Sequence, residues 1–163
     1  MRLCSLEVRS FRCLRHVRVE FSDGLNVLYG PNELGKSTLV EALRAALLLP
    51  VNSKVAEDFV PWGTDDIPQV VVEFELLQSI GSQETQGNAP TVTRWRLSKS
   101  FGSGSRREAR LERFTAPGRV VKEADGRNVD GRLRSMLDWG IPEPGGKGAP
   151  RGLPQSYFVT ALL

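Results

Sequence analysis

Gly30-Pro31-Asn32-Glu33-Leu34-Gly35-Lys36-Ser37-Thr38 is the stretch that decides how this chain folds. Its spacing is G-x-x-x-x-G-K-[ST], a pattern that works only with a strand before it and a helix after it. The glycines let the backbone curl until successive N–H groups point inward at phosphate oxygens. The helix N-terminus adds its partial positive charge. Lys36 would reach the β- and γ-phosphates, and the Ser37 hydroxyl would hold Mg²⁺. Upstream, Ser22-Asp23-Gly24 is turn chemistry and Leu25-Asn26-Val27-Leu28-Tyr29 reads as a short strand. Downstream, Leu39, Leu43, Ala46 and Leu47 share one face of a helix expected from about residue 37 to 49, and Pro50 stops it.

Farther out, the periodicity is that of strands. Val17, Val19 and Phe21 alternate with Arg18 and Glu20, and with Leu6-Glu7-Val8 they suggest an N-terminal hairpin. Residues 69–76 put Val70, Val72, Phe74 and Leu76 on one face, and residues 93–101 do the same with Trp95, Leu97 and Phe101. The polar residues 81–90 between them read as a hairpin loop. A third strand is expected near residues 109–114, then a short amphipathic helix marked by Val129, Leu133, Met136 and Leu137. Residues 140–154 hold five glycines and four prolines, which predicts a flexible connector. The apolar Ala161-Leu162-Leu163 ending reads as a cut through a longer chain.

Composition excludes several classes. The chain has 163 residues, 40% hydrophobic and 25% charged, as expected for one globular domain with a real core. Its longest apolar run, Ala45-Ala46-Leu47-Leu48-Leu49, falls far short of the roughly 18 residues of a membrane span, and the charged N-terminus offers no signal-peptide core. Two cysteines make no disulfide framework; Cys4 and Cys13 read as packed thiols, and the single His16 has no second metal ligand near it. The net charge of +3 says little, but residues 94–113 hold seven basic side chains against Glu108 and Glu112. Such a run can follow a nucleic-acid backbone or form a solvated strand face. Trp62 could stack on bases, whereas Trp95 shares the apolar face of its strand.

The segments Leu6-Glu7-Val8-Arg9-Ser10-Phe11-Arg12-Cys13-Leu14 and Phe21-Ser22-Asp23-Gly24-Leu25-Asn26-Val27-Leu28-Tyr29-Gly30-Pro31-Asn32-Glu33 resemble the start of the SMC-like ABC ATPases, the RecF/SbcC-type and double-strand-break-repair ATPases. The G-P-N-E variant, Phe59-Val60-Pro61-Trp62-Gly63-Thr64 and Arg96-Leu97-Ser98-Lys99-Ser100-Phe101 look most like the SbcC-related branch with long coiled coils. The resemblance implies that Arg12 approaches the nucleotide from the first hairpin and that Asn32 contacts the γ-phosphate side. Gly30, Glu33, Leu34, Gly35, Lys36, Ser37 and Thr38 would complete the phosphate and Mg²⁺ shell. Leu153-Pro154-Gln155-Ser156-Tyr157-Phe158 resembles the family's Q-loop, whose glutamine, here Gln155, would sense the metal and the attacking water. Leu34 departs from the small residue usual at its position, and its bulk could crowd the loop.

A Walker B Asp–Glu pair and an L-S-G-G-type signature do not occur in the sequence; Val70-Val71-Val72-Glu73 lacks the Asp and reads as a plain strand. The resemblance places those parts in a C-terminal lobe beyond a coiled coil. The expected fold is therefore α/β: a P-loop NTPase N-lobe, strand–P-loop–helix, with a largely antiparallel β-subdomain, residues 1–163 forming the single lobe. The implied function is Mg-ATP binding, with hydrolysis once the C-terminal lobe is supplied, in DNA repair or chromosome maintenance. The implied partners are that lobe, a second head in an ATP-bound homodimer, double-stranded DNA and a nuclease subunit; the implied location is cytoplasmic, nucleoid-associated in a bacterium. Two other classes fit the motif: a stand-alone small P-loop phosphotransferase and a non-catalytic nucleotide-sensing lobe.

Overall fold

The computed structural model describes residues 1–78, 91–102 and 106–137. Six strands form one sheet in the order β2-β1-β3-β4-β5-β6, every neighbouring pair antiparallel. They are β1 (Arg2–Phe11), β2 (Leu14–Glu20), β3 (Gln69–Gln78), β4 (Thr91–Phe101), β5 (Arg107–Ala116) and β6 (Arg119–Asp125). Helix α1 (Lys36–Leu48) and a short 3₁₀ helix (Lys54–Phe59) lie between β2 and β3, and α2 (Asn128–Leu137) follows β6. The N-terminal hairpin, the strands on either side of residues 81–90, the third strand and both helices match the sequence pattern. β6 was not expected from it. The connector at 140–154 lies outside the described residues.

Register explains why one face is dry. Because side chains alternate along a strand, one row across the sheet collects Val19, Leu6, Val72, Leu97, Leu111 and Ala124. A second row collects Val17, Val8, Val70, Lys99 and Ala109. Helix α1 covers this face at β1, β3 and β4, burying Leu39, Ala42, Leu43 and Ala46. Helix α2 covers it at β5 and β6 with Val129 and Leu133. At one end of the sheet Phe11 stacks on Phe59 at 4.5 Å, and Phe101 meets both rings edge-on at 6.5 and 5.4 Å. This trio ties the β1–β2 turn and the 3₁₀ helix to β4.

The opposite face is an ionic ladder. Glu7 accepts from Arg9, His16 and Arg18 at 2.8, 3.1 and 3.4 Å. Glu73 accepts from Arg94 at 2.7 Å and from Arg96 at 3.0 and 2.9 Å, and both guanidinium groups lie over the Phe114 ring. Burial works against the Glu73 carboxylate, but the hydrogen bonds from Arg96 and Arg94 outweigh it and hold its pKa below the ordinary value. The basic run at 94–113 is thus no continuous cationic stripe. Arg94 and Arg96 are spent on Glu73, Lys99 is in the core, and Arg107 donates to the Gly102 carbonyl.

One expected strand does not form. Residues 25–29 carry strand-type side chains, yet none of the six strands pairs with them. Leu25 and Tyr29 are 88% and 91% exposed, and Val27 and Leu28 are exposed as well. Strand propensity means a surface fit for pairing and burial, so without a ladder it yields only extended chain. The preceding turn does form, and Asn26 closes it with hydrogen bonds to Ser22 and Gly24. Trp95 is buried as its face requires, Trp62 is fully exposed, and Cys13, expected to be packed, is exposed in the β1–β2 turn.

Lys99 is the one ammonium inside the apolar face among the described residues. Its Nζ donates to the Leu49 carbonyl at 2.8 Å and to Asp130 Oδ1 at 2.6 Å. It therefore caps the C-terminal end of α1 and pairs with the first turn of α2. Burial pushes its pKa below the ordinary lysine value, with Asp130 pulling the other way. Lys99→Met is expected to destabilise the chain by about 3 kcal/mol, because it strands a largely buried carboxylate. Lys99→Met with Asp130→Leu is expected to recover most of that loss. Urea denaturation of the two variants measures both, and equal losses would contradict the pairing.

Candidate functional site

The loop between residues 29 and 36 is shaped by three left-handed positions. Gly30, Glu33 and Gly35 have φ of 149°, 71° and 82°. Two are glycines, as a curled loop requires, and Glu33 adopts the conformation at some steric cost. Gly35 then stands at the N-cap of α1 without a side-chain hydrogen bond, and the first turn contains no acidic residue. The N-terminal amides of α1 are left uncapped by any side chain, with the helix dipole behind them. A nearby carboxylate would have opposed a phosphate there. The Lys36 ammonium lies inside the loop, donating to the carbonyls of Gly30 at 2.8 Å and Pro31 at 2.6 Å. Curled backbone, open amides and an enclosed cation together suit a phosphate chain.

Leu34 does not crowd this cradle. Its side chain is 64% exposed, and its Cδ1 lies 3.2 Å from where a Cβ on residue 30 would stand. The bulk is accommodated because residue 30 has no side chain. Asn32 and Ser37 are exposed on the loop and at the start of α1. Thr38 Oγ1 lies 3.5 Å from Cys13 Sγ.

The β1–β2 turn is pressed against the base of the loop. A Cβ on Gly35 would come within 2.5 Å of Leu14 Cδ2 and 3.4 Å of Cys13 Sγ, so a side chain there would push the Leu14 side chain aside, and the φ of 82° itself favours glycine. Arg12 sits in this turn with φ 51°; its N–H donates to the Phe59 carbonyl at 2.7 Å and its guanidinium lies 5.9 Å above the Phe59 ring. Its Nη2 pairs with Glu41 Oε1 at 3.0 Å. The structure thus gathers Arg12, Gly30, Asn32, Glu33, Leu34, Gly35, Lys36, Ser37 and Thr38 at one end of the sheet. Gln155 lies outside the described residues.

Sequence reasoning missed Glu41. It stands four residues after Ser37, on the same flank of α1 one turn along. That spacing was readable, but it points to Arg12 only once the β1–β2 turn is known to dock on this flank. The charge count at 94–113 likewise concealed that Glu73, from another strand, takes two of the arginines.

Three comparisons bear on this geometry. The AAA domain model matches residues 5–104, spanning most of β1, the phosphate loop, α1 and all of β3 and β4. The DNA replication and repair protein RecF of Thioalkalivibrio sulfidiphilus (strain HL-EbGR7) is 34% identical over 144 residues, covering 86% of this chain. The match takes in 39% of that protein's length. A solved structure from work on the structural biochemistry of ATP-driven dimerization and DNA-stimulated activation of SMC ATPases superposes with a TM-score of 0.53 at 14% identity. That superposition covers 99% of this chain and 91% of the other, and gives the fold: mixed α/β, of the SMC ATPase N-lobe kind. With the AAA domain model matched over more than half of its residues, the chain belongs to the AAA domain family.

Proposed function

We propose that this chain binds Mg-ATP as the N-terminal lobe of an SMC-like ATPase head acting in DNA repair or chromosome maintenance. The observation that carries the reading is the uncapped N-terminus of α1 above a left-handed glycine loop that encloses Lys36. Lys36 would hold the β- and γ-phosphates, the loop amides would donate to phosphate oxygens, and the Ser37 hydroxyl would help hold the metal. Mg²⁺ would neutralise charge developing on the γ-phosphoryl oxygens. Asn32 would contact the γ-phosphate side, and Gln155 would sense the metal and the attacking water. The general base would come from the complementary C-terminal lobe, so the chain alone would hydrolyse ATP hardly at all.

Residues 25–29 support completion by that lobe. They form an extended apolar segment directly ahead of the phosphate loop, with no strand beside them among the described residues. A strand supplied by the second lobe would cover Leu25, Val27, Leu28 and Tyr29 and make the strand–P-loop–helix order complete. DNA binding is proposed from the repair relative, with Arg106, Arg110 and Arg113 as exposed basic side chains on β5 or just before it. Pairing of two heads around ATP, a nuclease partner and a cytoplasmic, nucleoid-associated location extend the same reading. No helix among the described residues is long and apolar enough to cross a membrane.

Three outcomes test this. Lys36→Ala should abolish Mg-ATP binding in calorimetric titration while the circular dichroism spectrum is unchanged; equal affinity in both proteins sinks the reading. Amides of residues 25–29 should exchange rapidly in the isolated chain and become protected when a complementary lobe is co-expressed, and unchanged exchange in a stable complex counts against strand completion. Duplex DNA binding by the completed head should weaken steeply with salt, and Arg110→Ala with Arg113→Ala should lower the log–log slope by about 2; a salt-independent affinity would exclude the phosphate contacts. Turnover of ATP onto a small acceptor by this chain alone would favour the phosphotransferase class instead. Full ATP binding without turnover in the completed head would favour a nucleotide sensor.

A further inference from the structure

Arg12 combines a fixed backbone with a movable head. Its main chain is held by the 2.7 Å hydrogen bond to the Phe59 carbonyl, by the left-handed φ of 51°, and by the packing of the next two residues against Gly35. Its side chain is 42% exposed, and its Nη2 lies 3.0 Å from Glu41 Oε1. Glu41, itself 32% exposed, is not buried deeply enough to lock the pair. It stands one helical turn beyond Ser37 on the flank of α1 that the β1–β2 turn touches, where Cys13 also reaches Thr38. The arginine that the resemblance brings toward the nucleotide is therefore engaged by a carboxylate on the very helix that carries the phosphate loop.

We infer that Glu41 is a competing anion for Arg12, and that it sets how readily the guanidinium is given up to the nucleotide. This rests on the nucleotide reading above and adds a residue to it. A half-exposed ion pair is worth little, so the exchange is nearly balanced. A phosphate chain carrying several negative charges can outbid one carboxylate, whereas a singly charged ligand cannot draw Arg12 away as well. Glu41 thereby makes Arg12 respond to the charge of the ligand. Glu41 acts through Arg12 and is a positioning residue.

The test is a double-mutant cycle on the full chain, with Mg-ATP and Mg-ADP as the titrants. Glu41→Gln, which keeps the side-chain shape, should tighten Mg-ATP binding by about two- to five-fold, the range set by an exposed ion pair. The gain should be smaller for Mg-ADP and should fall away in an Arg12→Ala background. Weaker binding by Glu41→Gln would overturn the inference, because the carboxylate would then be assisting the nucleotide. An equal gain in the Arg12→Ala background would also overturn it, since Glu41 would then act by charge alone. Unchanged affinity in a protein that does bind ATP refutes the competition and leaves the nucleotide reading standing. Absence of ATP binding in the wild-type chain refutes that reading and the competition with it. Thermal unfolding of each variant separates these results from loss of fold.

Discussion

The close approach of Leu14 to Gly35 governs this structure. A β-turn and a phosphate loop are each weakly determined by themselves, but here they meet so closely that a methyl group on residue 35 would displace the Leu14 side chain. Interiors packed this tightly transmit displacement, so the position of the loop is set by the sheet beneath it. The consequences run outward in order. Arg12 and Cys13 are carried onto the flank of α1, Phe11 is placed on Phe59, and the 3₁₀ helix is held down by its own carbonyl accepting from Arg12. A site whose working atoms are mostly backbone needs this kind of support, since backbone cannot be repositioned by choosing another rotamer.

Lys99 organises the far end of α1. An ammonium in an apolar row is expensive unless its hydrogen-bonding capacity is used, and here it serves two elements at once. The lysine answers the partial negative charge where α1 ends, as the uncapped glycine exposes the positive end where α1 begins. The two ends of one helix are thus treated oppositely: one closed inside the protein, the other left without a side-chain cap. The ionic ladder on the far face of the sheet adds little stability where it is exposed. Its more consequential part is Glu73, which is mostly buried and paired with two guanidinium groups.

The fold was legible where a local pattern carried its own partner. Alternation in β1, β3 and β4 chose the buried face, and the glycine–lysine spacing placed the start of α1 to within one residue. Residues 25–29 show the limit: their side chains are those of a strand, but a strand is a relation between two segments and only one of them is described here. β6 escaped notice because its exposed Val121 and the bulges between β5 and β6 blur the alternation. Within the site, the loop residues announced themselves by type and spacing. Glu41 and the pairing of Lys99 with Asp130 did not, because each contact joins residues brought together only by the docking of separate elements.

The order of the strands has a consequence for how the chain is made. β3, β4, β5 and β6 are consecutive in sequence and adjacent in the sheet, so four of the six strands can zip together through successive hairpins. Only the β1–β3 pairing must span the phosphate loop and α1, which carries a larger loop-closure cost. The meander therefore offers a ready template onto which the N-terminal hairpin docks, and that docking is the step that seats Leu14 against Gly35. The geometry of the loop ahead of α1 thus depends on the β1–β3 pairing, the closure that spans the longest stretch of chain between neighbouring strands of the sheet.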